Sequence, residues 1–237
     1  MALTAQSIAD RAAMIIQDLT NVRWPLTELV DWLNDARREL AVARPDVYAT
    51  ATDAYALATG AKQSLPTGGL RLMDVPRNSS GAAITVTQRG FLDQQNPGWH
   101  STTPSATIKH FMMDERSPSI FWVYPPAASG ASVMIIYQSA PEDFTITSDA
   151  IVGSLSDYET LYGGAMVDYI CYRAFSKDSE YAGNANRAIA HYQQFANALG
   201  VGRQTDIGYS ANANNVGGAV NRPQGGGVGG PRQVANG

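Results

Sequence analysis

The sequence predicts an α+β chain. An N-terminal and a C-terminal helical hairpin form a four-helix bundle, an antiparallel β-region is inserted between them, and an extended arm follows at the C-terminus. Three observations predict this. Apolar residues recur at helical spacing near both ends of the 237-residue chain. Between them the period falls to two, with turn chemistry separating the runs. From Gly200 onward 11 of the 22 glycines gather in a stretch with almost no large apolar side chain. The divisions that follow are residues 1–48, 49–150, 151–200 and 201–237.

Residues 3–19 carry Ile8, Ala12, Ile15, Ile16 and Leu19 on one face, with Thr4 placed to cap the first turn. A second helix begins near Pro25, whose missing N–H costs little there. Its stripe is Leu26, Leu29, Val30, Leu33, Ala36 and Leu40, which leaves Asp31, Asp35, Arg37 and Arg38 to the remaining faces. Pro45 stops it, because the residue before a proline is pushed out of the α region.

Five runs then read as strands: Thr50–Leu57, Ala82–Thr87, Ala106–Met113, Ile120–Tyr124 and Ser132–Gln138. The last three suggest a meander with turns at Asp114–Pro118 and Pro125–Gly130. Phe91–Gln95 reads as one helical turn closed by Asn96-Pro97-Gly98.

The C-terminal hairpin spans Leu155–Gly200. Ser156 and Glu159 have the spacing of a capping box. Leu155, Tyr158, Tyr162, Ala165, Met166, Tyr169 and Tyr172 share one face of its first helix, with Leu161, Ile170 and Phe175 widening the apolar surface. Gly163 and Gly164 fall inside this helix, where each costs about 1 kcal/mol relative to Ala; close approach of another backbone, within the chain or from a neighbouring subunit, would offset that. After an SKDS turn capped by Asp178 or Ser179, the second helix shows the stripe Tyr181, Ala185, Ala188, Ile189, Tyr192, Phe195 and Leu199, with Gly200 as its stop.

Composition narrows the function. The net charge is −4. The tail after residue 199 holds three arginines and one aspartate, so the body before it has 14 basic and 20 acidic residues, a net −6. That balance opposes a nucleic-acid grip made by counterion release. No secretory leader and no ~20-residue apolar run are evident, so assembly in a cytoplasm is expected. The single Cys171 permits no intrachain disulfide and reads as a small buried hydrophobe. His100, His110 and His191 are scattered without metal-ligand spacing. Asp114-Glu115 reads as a solvated turn pair, and Asn78-Ser79-Ser80 is a glycosylation sequon without a secretory context. Nucleophile-elbow, P-loop and dinucleotide patterns are absent. Neither an enzyme nor a cofactor is expected. Trp99, Trp122 and Tyr124 offer a possible stacking surface for a sugar or peptide, and packing within the sheet is the simpler expectation.

Several stretches together resemble the head-to-tail adaptor proteins of short-tailed bacteriophages. They are Trp24-Pro25-Leu26-Thr27-Glu28-Leu29 running on to Glu39-Leu40, then Arg44-Pro45-Asp46; Phe111–Arg116 with Phe121-Trp122-Val123-Tyr124-Pro125-Pro126; and Asp168-Tyr169 with Tyr172–Asn184. The resemblance implies a structural virion protein of the neck, one of about twelve copies in a ring. That ring would dock beneath the portal, receive the tail nozzle and form part of the DNA ejection channel, with double-stranded DNA passing through it without specific binding. A C-terminal arm would reach the portal, and here Tyr209, Val220, Arg222 and Arg232 are the side chains able to anchor it. Gly163 and Gly164 are the expected subunit-packing positions. The competing expectation is a carbohydrate- or peptide-binding tail module using the aromatic β-region.

Overall fold

A computed structural model describes residues 3–209 apart from Glu115 and Ser179. Its architecture is mixed α+β with two large cores, one helical and one between two sheets, and a smaller cluster around Trp99.

Helix α1 spans Ala5–Ile15. Thr4 accepts a hydrogen bond from the Ser7 N–H at 3.1 Å, and Ser7 Oγ accepts from the Thr4 N–H at 3.0 Å. The helix ends earlier than its apolar spacing predicts. Gln17 and Asn21 take positive φ of 58° and 51°, and the Asp18 carboxylate gathers the N–H groups of Val22, Arg23 and Trp24 at 2.7–3.0 Å. This local turn outcompetes further helix, so Ile15 and Leu19 leave the stripe and are exposed. Helix α2, Leu26–Ala43, buries Leu29, Val30, Leu33, Ala36 and Leu40 as expected. It also buries Trp32, Asn34 and Arg37. A 3-10 turn over Pro45–Tyr48 follows.

The strands are β1 (Ala49–Ala56), β2 (Gly60–Ser64), β3 (Gly69–Asp74), β4 (Thr85–Val86), β5 (His110–Met113), β6 (Ile120–Ala127) and β7 (Ser132–Ser139), with a short helix α3 at Arg89–Gln95. They form two sheets, in the orders β1-β7-β3 and β2-β6-β5-β4. All pairs are antiparallel except β4 with β5. The expected meander therefore holds only for β5 and β6. Pro125 and Pro126 lie in β6 rather than in a turn, and β7 crosses to the centre of the other sheet. Packing explains the crossing. Phe121, Val123 and Ala127 on β6 and Val133 and Ile135 on β7 all bury into one core, which face-to-face strands close more fully than neighbours in one sheet.

A small hairpin, β8 (Thr145–Thr147) with β9 (Ala150–Val152), turns through Ser148 and Asp149 at φ of 50° and 60°. It belongs to the helical core. Asn34 clamps the backbone of Phe144, donating to its carbonyl at 3.0 Å and accepting from its N–H at 2.8 Å.

Ser156 and Glu159 form the expected capping box. The helix they start is not continuous. It is α4, Asp157–Leu161, followed by a break at Tyr162 and then α5, Gly163–Lys177. The glycines thus open α5 rather than sit inside a longer helix. Among the described residues no backbone outside their own helix crowds them. A Cβ on Gly163 would clash with Leu3 Cδ2, and one on Gly164 would meet nothing within 4 Å.

Helix α6, Ala182–Tyr209, runs through Gly200 instead of stopping there. Its antiparallel register on α5 is set by Asp168 with His191, Tyr169 with Phe195 and Tyr172 with Tyr192. Carried forward, that register brings α6 level with the start of α5 near Leu199, so its last turns extend about 15 Å beyond. Helices α1, α2 and α6 all pack on α5. Gln138 donates to the Ala41 carbonyl at 2.7 Å and Ser139 to that of Tyr48 at 3.1 Å, welding the sheets to α2 and the 3-10 turn.

Candidate assembly surfaces

The groups that suggested chemistry are occupied with holding the fold. Trp99 is fully buried and donates to Asp93 at 2.8 Å. Half-buried Trp122 lies beneath the Arg89 guanidinium at 5.2 Å, so the three aromatics form no common exposed platform. His100 stacks on Trp99, His110 bonds Thr85 at 2.7 Å and His191 bonds Asp168 at 2.8 Å. Among the described residues no three His, Cys, Asp or Glu side chains gather as metal ligands would. Burial, then the charge of Asp168, pushes the Cys171 thiol up to about 12. Hydrogen bonds from Arg116 hold half-buried Asp114 below the usual carboxylate range; Glu115 beside it lies outside the described residues. Asn78 of the sequon is buried, donating to the carbonyls of Ala82 and Ile108 and accepting from the Ile108 N–H.

Sequence periodicity missed a buried polar network. Glu159 is almost fully buried and accepts from Arg37 Nε and from the Tyr48 hydroxyl, both at 2.7 Å, and from the Ser156 N–H at 2.7 Å. Arg37 also donates to the Glu142 carbonyl and lies over the Phe144 ring at 4.2 Å. Burial by itself raises the Glu159 carboxyl; the hydrogen bonds from Arg37, Ser156 and Tyr48, with the Arg37 charge, more than reverse this and hold it below its ordinary value. Burial, then Glu159, pushes the Tyr48 phenol up. The network ties α2, the 3-10 turn and α4 together. Its one visible trace in the sequence is Glu159 at the capping position.

The free apolar surface lies largely on helices. On α6 only Ala188, Phe195 and Leu199 are buried among the described side chains. The adjoining face carries Ala185, Ile189, Tyr192, Ala196 and Gly200, all exposed, at the 4-3-4-4 spacing of a helix-packing stripe. Between Arg187 and Arg203 the helix has no Asp, Glu, Lys or Arg at all. A face meant for water is ordinarily charged, as α2 is at Asp31, Asp35, Arg38 and Glu39. Met14, Ile15, Leu19 and Val22 make a second exposed group at the end of α1. Tyr158 and Leu161 on α4 make a third.

Of the expected partner-binding residues, Tyr209 ends α6, while Val220, Arg222 and Arg232 lie outside the described residues. Gly163 and Gly164 stand together at the start of α5, one against Leu3 and the other with open space.

Side chains committed to internal fastening, with uncharged helix faces left over, define a structural subunit that meets other chains. The chain matches the SU10 adaptor protein family over residues 3–218 and belongs to that family, a phage head-tail adaptor family. The resemblance read from the motifs is borne out, and the protein is a bacteriophage structural component of the virion neck. No curated protein sequence matches it. Among the described residues no helix is long and apolar enough to cross a membrane.

Proposed function

We propose that the chain is the subunit of an adaptor ring that joins the portal to the tail nozzle, with about twelve copies lining part of the DNA ejection channel. In this reading α1, α2, α5 and α6 are the helical bundle of each subunit. The observation that carries it is the α6 face, uncharged and uncovered, in a chain of the adaptor family. A helix that buries one side in its own subunit and offers an apolar second side suits repeated contact with other chains. Gly163 makes room for Leu3 of its own chain, and Gly164, in open space beside it, keeps the start of α5 low enough for a neighbour to approach. The arm, which follows the projecting end of α6 at Tyr209 and so begins later than residue 201, anchors on the portal through Tyr209, Val220, Arg222 and Arg232. The net −6 of the body lets double-stranded DNA slide past without being held.

Mass measurement in solution tests the assignment. The purified chain is expected as a monomer or weak oligomer that joins a ring when portal rings are added. A chain that stays monomeric and indifferent to portal rings would overturn it.

A further inference from the structure

One exposed hollow and one exposed knob, on different faces of the chain, carry complementary chemistry: apolar side chains on both, with a cation beside one and an acid beside the other. The hollow, about 460 Å³, lies between α2 and the β1-β7-β3 sheet. Its floor is apolar, with Val42 81% exposed, Leu70 45% exposed, and Pro45, Pro118 and Pro141 around them. Arg38 and Arg71 stand at its rim. Arg38 is held by Asp35 and Asp143. Arg71 has no hydrogen-bonded or ion-pair partner among the described residues. An unpaired cation beside bare Val and Leu side chains is a surface that gains by being covered with an acid next to an apolar group.

Helix α4 supplies that chemistry. Leu161 is 76% exposed and Tyr158 65% exposed, three residues apart on one face. Asp157 lies on the same side, four residues before Leu161, and its carboxylate has no partner among the described residues. Opposite them Glu159 is locked to Arg37 and Tyr48, so the knob is rigidly mounted. A rigid knob loses little conformational entropy when it docks.

The two features cannot meet within one copy. Arg37 of α2 reaches Glu159 of α4, whereas Arg38 lines the hollow. Arg38 follows Arg37 by one position, about 100° further round the helix. Knob and hollow therefore sit at the same level of α2 and face different ways. Contacts between two such unlike patches are heterologous, and their shared level makes successive copies step sideways rather than climb, as closure into a ring requires.

We propose that α4 of one copy seats in the α2–β3 hollow of the next, with Leu161 and Tyr158 on the apolar floor and Asp157 against Arg71. This rests on the ring reading above and names one of its contacts. The test mixes equal amounts of two full-length variants, Leu161→Cys and Val42→Cys, with and without portal rings, under mild oxidation. Both positions are exposed enough to leave the fold intact, and Cys171 is buried. A disulfide-linked dimer is expected from the mixture and from neither variant alone. In a second arm, Asp157→Lys and Arg71→Glu each weaken assembly about tenfold and together restore it. Assembled rings, seen by mass, that give no cross-link and no charge-exchange rescue would overturn the contact and leave the ring standing. A cross-link to the portal instead would also overturn it. Failure of the unaltered chain to assemble in either condition would remove both the contact and the ring.

Discussion

Helices α5 and α6 belong to one hairpin, carry similar aromatic stripes and have opposite fates. Helix α5 is wrapped by α1, α2 and α6 and buries Ala165, Met166, Val167, Tyr169, Ile170, Cys171 and Ala174. Helix α6 leans on α5 through Ala188, Phe195 and Leu199 and leaves Ile189 and much of Tyr192 in solvent. The difference teaches that an apolar side chain in this protein has one of two employments. On α5 it closes the subunit. On α6 part of it stays exposed, on a face that lacks the charges found on α2.

The sharpest way to break the wrapped side is at its polar fastener. Glu159→Gln removes the carboxylate from Arg37 while keeping its volume, and a buried guanidinium without its counter-charge costs about 3–5 kcal/mol. Denaturant unfolding should show that loss with an unchanged slope. The same residue governs the acid limb. Its folded carboxyl sits below the ordinary value of 4.5, so the unfolded chain binds the proton more readily. The stabilisation is complete above the unfolded value and is lost as pH falls through the folded one. Stability measured against pH should therefore drop in acid for the natural chain, and flatten in that range for Glu159→Gln.

The next largest contrast sets the two helices side by side. Met166→Ala on α5 should cost about 2–5 kcal/mol, since Met166 is fully buried. Ile189→Ala on α6 should cost less than about 0.5 kcal/mol in the isolated chain and act on assembly instead. Equal losses of stability at both positions would erase the distinction between a closing face and a waiting one.

The glycines divide along the same line. Gly164 sits in open space in a helix, so Gly164→Ala should stabilise by about 0.5–1 kcal/mol. Gly163→Leu forces Leu3 aside and should lower the melting temperature, whereas Gly164→Leu should leave the fold intact and report only on neighbouring subunits. Loss of ring formation by Gly164→Leu, with melting unchanged, is the outcome that assigns this position to subunit packing.

Deleting residues 203–237 should have the smallest effect on stability. Among the described side chains the last buried one is Leu199, so melting should move by no more than about a degree. Attachment is the sensitive readout. Ordering a glycine-rich arm costs roughly 1–2 kcal/mol of backbone entropy per residue, which only contacts with a partner can offset. Particles carrying the shortened chain should shed adaptor or leak DNA at modest salt. Stable, infectious particles would reduce the arm to a passive tether.

The sequence by itself determined what depends on neighbours a few residues away. The N-cap at Thr4, the capping box at Ser156, the stop at Pro45 and the hairpin turn near Asp178 were all legible, because each is closed by hydrogen bonds or steric limits within one turn. Family membership was legible for a related reason. Its motifs are fasteners with fixed partners: Trp24 packs on Trp32 beneath Arg23 and Lys177, Arg44 grips Asp46 at 2.6 Å, and Asn184 ties back to Asp178 at 2.8 Å.

Tertiary structure alone decided the rest. The break at Tyr162 leaves α4 as a separate helix whose Glu159 is bonded to Arg37 and Tyr48, more than a hundred positions away in the chain. Arg37, polar by type and off the apolar stripe, went inside because that carboxylate and the Glu142 carbonyl were waiting there. Strand β7 left the meander because a shared core rewards face-to-face burial over adjacency in the chain. Helix α6 passed Gly200 because one glycine costs about 1 kcal/mol relative to Ala, a penalty the surrounding helix absorbs. The hollow beside Arg71 has no sequence signature at all, since α2, β3, the turn at Pro118 and the end of β7 meet only when the chain is folded.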